Sequence, residues 1–215
     1  EPVKYVEEAI RQGFSTLGFS DHSPVPFENN FAIRENELPL YCETILNLRN
    51  QFSGSRILDP ASRIYILLGL EIDFIPGITR SFDDYRHSLP IDYVIGSVHL
   101  VRNSDPALLW FIDGPDISIY DYGLTEVFKD DIRKAVSAYY RQIQEMVAVH
   151  KPDIVGHLDK VKMYNHNRFF SEEDPWYGRL VDETLDLVEQ NNCVVEVNTR
   201  GIYKKRSGTL FPGPA

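Results

Sequence analysis

Histidines and carboxylates recur along this chain at one kind of place, directly after short apolar runs. Asp21-His22 follows Thr16-Leu17-Gly18-Phe19-Ser20, and Glu71-Ile72-Asp73 follows the run from Ile64 to Leu70. His99 follows Tyr93-Val94-Ile95-Gly96-Ser97-Val98, and His157-Leu158-Asp159 follows Asp153-Ile154-Val155-Gly156. A fifth run, Cys193 to Val197, leads into Asn198-Thr199-Arg200. Imidazole nitrogen and carboxylate oxygen are ligands that suit zinc, iron and manganese. His22, Glu71, His99 and His157 are therefore the candidate metal ligands. No local motif such as HExxH carries this reading; the signal is repetition. One histidine in such a place is usually a hydrogen-bonded structural residue, but three of the chain's six occupying it reverses that balance. Glu71 ends an apolar run where an unpaired carboxylate is costly, and adjacent cations would offset that cost. Asp73 and Asp159 are expected to support ligands or cap loops, and Asp21 to be a metal ligand or, the favoured reading, to form a strand-end turn.

Basic residues near these places are few. Lys160 and Lys162 follow His157, and Arg200, Lys204 and Lys205 follow the last run. Cations aimed at a metal-rich pocket in an acidic protein suit an anionic substrate such as a phosphate monoester. Arg200 is the better candidate of the later group; Lys204, Lys205 and Arg206 read as a solvated loop. His150 beside Lys151-Pro152 suits the negative end of a helix, and His87 and His166 lie in polar loops.

The elements that must position these groups are legible from periodicity. The apolar runs are short and β-branched, which marks buried strands. Between them lie amphipathic helices: one from Pro2 toward Gly13, one from about Glu35 to Phe52, one from Glu126 to His150, and one entered through Ser171-Glu172-Glu173-Asp174 and Pro175 and running to about Asn191. The stretch from Asn103 to Tyr122 is rich in Asp, Pro, Gly and aromatics and reads as a long loop over the functional face. Apolar strands alternating with helices imply an α/β fold with a parallel sheet covered on its faces, whose strand carboxyl ends gather function. With 215 residues the expectation is a single domain spanning 1–215. A barrel missing a strand at each end explains the helix at the start and the terminal loop from Gly208 to Ala215 better than an open sheet does.

Composition narrows the partners. A net charge of -10 repels phosphate backbones, which argues against a general nucleic-acid binder, although bound cations can dominate the potential of a small site. No apolar run approaches the ~20 residues that span a bilayer, so no membrane partner is expected. Cys42 and Cys193 form no CxxC motif, and a reducing, cytoplasmic setting is the simpler reading.

Phe19-Ser20-Asp21-His22, Gly69-Leu70-Glu71-Ile72-Asp73, Gly96-Ser97-Val98-His99, Gly156-His157-Leu158-Asp159 and Glu196-Val197-Asn198-Thr199 resemble, in order, the motifs of the PHP family of metal-dependent phosphoesterases. The wording from Gly156 to Lys162 and in Asn198-Thr199-Arg200-Gly201 resembles the histidinol-phosphatase branch. The resemblance implies a distorted, TIM-like (β/α)7 barrel and up to three divalent ions (zinc, iron or manganese). It implies that Glu71 bridges two of them, that His99 and His157 complete one site, and that His22 binds the third. Glu71, His99 and His157 would then be catalytic, with Lys162 and Arg200 on the substrate phosphate. The implied reaction is hydrolysis of L-histidinol phosphate to L-histidinol and phosphate, in histidine biosynthesis, through a metal-activated hydroxide. Asp21, Asp73 or Asp113 would attract the substrate's ammonium. The family's early His-x-His and late Asp-x-His motifs are absent, so the implied domain is incomplete at both ends. Two other readings fit the same residues: a PHP phosphoesterase acting on another ester such as a nucleotide, and a degenerate metal-binding interaction domain.

Overall fold

A computed structural model describes residues 1–52, 64–105 and 107–213. Pro106, inside the expected 103–122 loop, and Pro214 and Ala215, at the end of the expected terminal loop, lie outside the described residues. The chain divides into two compact units, Glu1–Ile72 with Arg80–Ile95, and Asp73–Thr79 with Gly96–Ala215.

The first unit opens with α1 (Pro2–Arg11), where proline at the helix start costs no hydrogen bond, and Val6 and Ala9 face inward. β1 (Thr16–His22) follows, then a 3₁₀ turn at Glu35–Glu37 that runs into α2 (Leu38–Phe52). β2 (Tyr65–Asp73), α3 (Phe82–Ser88) and the start of β3 (Tyr93–Ser97) complete it, with strand order β1-β2-β3. β1 and β2 pair in parallel from Thr16 opposite Tyr65 to His22 opposite Glu71. Cys42, Ile45, Leu48, Ile64, Ile66 and Leu68 form the core with α1. The expected fully buried second strand is found only in part. Tyr65 is 71% and Leu67 36% exposed, because the first half of β2 alternates between its two faces. Gly18 and Gly69 both lie under the ring of Tyr93, so closely that a Cβ on either would collide with it.

The second unit contains the end of β3, an antiparallel pair β4 (Leu100–Arg102) and β5 (Leu109–Phe111), and helices α4 (Ile117–Phe128) and α5 (Ile132–His150). Then come β6 (Ile154–Val155), a 3₁₀ turn at Lys160–Lys162, α6 (Pro175–Gln190), β7 (Val194–Val195) and the short α7 (Arg200–Tyr203). Here the strand order is β3-β6-β7, with β6 and β7 parallel. Ala135, Val136, Tyr139, Tyr140, Ile143, Met146 and Val147 of α5 are all buried, the stripe expected of a core-facing helix.

Two expectations need correction. The helix expected from Glu126 to His150 is broken. Lys129 and Asp130 take left-handed backbone angles (φ 55° and 62°), and the Asp131 carboxylate caps α5 by accepting from Lys134 N–H at 3.0 Å. A side chain that satisfies an exposed helix end competes successfully with one more turn of helix. The expected loop from 103 to 122 instead holds β5 and the start of α4, which is capped by Asp116 onto Ser118 N–H at 2.7 Å. Its aromatics form a core: Trp110 is fully buried and donates its indole N–H to Tyr120 O at 2.9 Å. Among the described residues no helix is long and apolar enough to cross a membrane.

Candidate active site

In the first unit the parallel register does the positioning. His22, the last residue of β1, is paired with Glu71 on β2. His22 Nε2 lies 3.8 Å from Glu71 Oε2, and both side chains are about a fifth exposed (20% and 18%). Two ligands each ~2.1 Å from one tetrahedral zinc ion stand ~3.4 Å apart, so this pair lies a few tenths of an ångström wider than one such ion would hold it. Backbone bonds on either side fix the ends: Ser23 N–H donates to Glu71 O at 2.8 Å, and Ile33 N–H to His22 O at 3.0 Å.

In the second unit side chains do that work. His99 is 6% exposed, and its Nδ1 is hydrogen-bonded to the carboxylate of Asp73, which is wholly buried. A carboxylate on Nδ1 keeps the proton there and leaves Nε2 its lone pair, the form in which imidazole binds metals. The His157 ring stands edge-on to His99 with centroids 4.6 Å apart. His157 has φ 24°, an uncommon conformation for a residue with a side chain. It is held there because its N–H donates to Glu196 Oε2 at 2.9 Å while its carbonyl accepts from Lys160 N–H at 2.8 Å. Glu196 is itself fixed by Asn198, whose amide donates to the second carboxylate oxygen at 3.1 Å.

The basic residues separate. Lys160 is 2% exposed, with Nζ 3.7 Å from Asp113 Oδ2 and over the ring of Phe211. Asp113 Oδ2 in turn lies 3.8 Å from His99 Nε2. Lys162 Nζ is 2.7 Å from Asp159 Oδ2 and 2.6 Å from Glu172 Oε2. Burial pulls its ammonium toward deprotonation, but the two carboxylates outweigh that and hold its pKa above the ordinary lysine value. Arg200 is the exposed first residue of α7, and its backbone N–H donates to Asn198 Oδ1 at 2.9 Å. His150 ends α5 and packs on Phe74, the structural place expected of it.

Sequence reasoning passed over Glu172, reading it as part of a helix-capping stretch, and did not pair Asp113 with Lys160. Asp113 and Lys160 join segments remote in the chain, and Lys162 and Glu172, ten residues apart, meet across a turn that no helical or strand spacing announces.

The PHP domain family model matches residues 1–200 of this chain. The chain belongs to the PHP domain family. Among the relatives of this PHP domain is a probable histidinol-phosphatase of Deinococcus radiodurans, 28% identical, the match covering 99% of this chain and 72% of that protein. The histidinol-phosphatase of Bacillus subtilis is 27% identical over 97% of this chain and 77% of its own length. Among solved structures, the histidinol phosphate phosphatase of Lactococcus lactis, complexed with zinc, L-histidinol and phosphate, superposes with a TM-score of 0.65 at 23% identity, covering 96% of this chain and 70% of that one. The PHP domain thus has the α/β fold of that protein, the distorted TIM-like barrel that the sequence implied.

Proposed function

We propose that this PHP domain is a metal-dependent phosphomonoesterase that hydrolyses L-histidinol phosphate to L-histidinol and phosphate, a step of histidine biosynthesis in the cytoplasm. The observation that carries the reading is the buried His99, its Nδ1 fixed by Asp73 and its ring edge-on to His157. Buried imidazoles braced in this way are suited to ligating metal, and relatives spanning nearly the whole chain are named histidinol-phosphatases. His22, Glu71, His99 and His157 are the proposed ligands of up to three divalent ions, zinc, iron or manganese. Divalent ions, when bound by these residues, would supply a hydroxide nucleophile at neutral pH and would offset charge in the transition state.

The chain's own residues then have distinct tasks. Glu71, His99 and His157 set the ion positions, Asp73 and Glu196 orient His99 and His157, and burial around His99 and Lys160 excludes water from the reacting side. Lys162 and Arg200 are the proposed substrate contacts. The test is phosphate release from L-histidinol phosphate beside nucleoside monophosphates, with elemental analysis of the same protein preparation. The expected result is bound divalent metal and preference for L-histidinol phosphate. Absence of metal together with absence of release sinks the proposal.

A further inference from the structure

We infer that Gln142 of α5 is a positioning residue for the metal site, holding the Asp73–His99 pair in the geometry that ligation needs. The inference rests on the reading of His99 as a metal ligand and adds what keeps that ligand aimed. Gln142 is 4% exposed and sits within the buried stripe of α5, a place that suits an apolar side chain. A buried amide is costly unless its hydrogen bonds are made, and this one makes three. Its Nε2 donates to the carbonyls of Phe74 at 2.5 Å and Leu100 at 3.0 Å, and its Oε1 accepts from Arg102 N–H at 3.0 Å. Carbonyls only accept, so the nitrogen must face them and the amide has a single workable orientation.

The places where these bonds land give Gln142 its role. Phe74 directly follows Asp73, and Leu100 directly follows His99. One planar amide thus ties together the two segments whose side chains form the Asp73–His99 bond. Phe74 is held on its other side too, its N–H donating to Ser97 O at 2.8 Å, and the Arg102 guanidinium returns to the carbonyl of Pro76. The same helix reaches the second histidine. Tyr139, three residues before Gln142 and so on the same helix face, has its hydroxyl 3.4 Å from the His157 carbonyl and 3.3 Å from that of Leu158. α5 is therefore a ruler between His99 and His157, with the Gln142 amide at the His99 end. Side chains of similar size fail in this place: glutamate sets a carboxylate against two carbonyls, methionine has no donor, and asparagine is one methylene short.

The experiment measures zinc affinity by chelator competition, and stability in urea, for wild type, Gln142→Met, Gln142→Asn and Tyr140→Phe. The Tyr140 hydroxyl bonds that of Tyr177 at 3.1 Å, so its variant reports a lost buried bond on the same helix. The expected result is zinc binding about tenfold weaker in both Gln142 variants and unchanged in Tyr140→Phe. Should Gln142→Met not fold, Gln142→Asn, which keeps a polar group, carries the comparison. Wild-type affinity in the Gln142 variants, or an equal loss in Tyr140→Phe, overturns the inference. Failure of the phosphatase reading looks different, because wild type then binds neither zinc nor manganese. In that case a long-range proton–nitrogen correlation spectrum of the metal-free proteins decides. A single Nδ1–H tautomer of His99 in wild type that becomes a mixture in the Gln142 variants supports the positioning role. The same His99 signals in all four proteins, or a mixture already in wild type, overturn it.

Discussion

The His22–Glu71 region and the His99–His157 region reach similar chemistry by different means. The first relies on main-chain register: two parallel strands in step put an imidazole and a carboxylate 3.8 Å apart with a fifth of each exposed. The second relies on side chains, with Asp73 on His99 and Glu196 on the backbone of His157. Register is collective, shared over seven residue pairs, and tolerates single substitutions away from the ligands. A side-chain brace is local, so one substitution removes it. The difference teaches where each region is vulnerable.

The largest effect should come from the ligands of the second region. His99→Ala or His157→Ala should lower turnover of L-histidinol phosphate by the order of a thousandfold and reduce bound metal measured by elemental analysis. Full metal content in both variants would break the comparison at its base. Next is the brace itself: Asp73→Asn should weaken metal affinity by about 10–100-fold in chelator competition while the far-UV circular dichroism stays that of wild type. In the first region the matching experiment strikes the strands. Gly69→Ala forces a methyl into the Tyr93 ring and should cost about 1–3 kcal/mol in urea denaturation. A substitution there that lowered metal affinity and left stability intact would contradict positioning by register.

The smallest effect is electrostatic. The Lys162 pKa is raised in the folded state, so the native protein binds that proton more tightly than the unfolded chain. Its stabilising contribution is fully present below the ordinary lysine value of 10.5 and is lost as pH rises through the folded value. Lys162→Met should therefore flatten the alkaline limb of a stability–pH profile, whereas Arg200→Met, at an exposed position, should leave that limb as it is.

How much of this was legible in the sequence follows the same division. Strand ends are local patterns, a few apolar residues followed by a polar one, and they located His22, Glu71, His99 and His157 within two residues of a strand end. The helix faces were readable for the same reason, down to the buried stripe of α5. What escaped was decided by competition or by distance. The break at Lys129–Asp131 turns on a capping carboxylate that outcompetes a continuous apolar period. The stretch between 103 and 122 read as a loop because partners such as Val161, whose carbonyl accepts from Tyr120 O–H at 3.2 Å, lie some forty residues away. Glu172 meets Lys162 only after the chain has turned back on itself.

Tyr93 has a consequence for how this part of the chain can change. Its ring occupies the space above Gly18 and Gly69 at once, so three positions from three strands share one volume. A methyl at residue 69 is harmful beside tyrosine and should be tolerated beside a smaller residue at 93. Gly69→Ala and Tyr93→Val together should thus cost clearly less than their separate effects summed, a coupling between neighbours that a double-mutant cycle measures directly. Sequence drift across these strands is then constrained to move in concert.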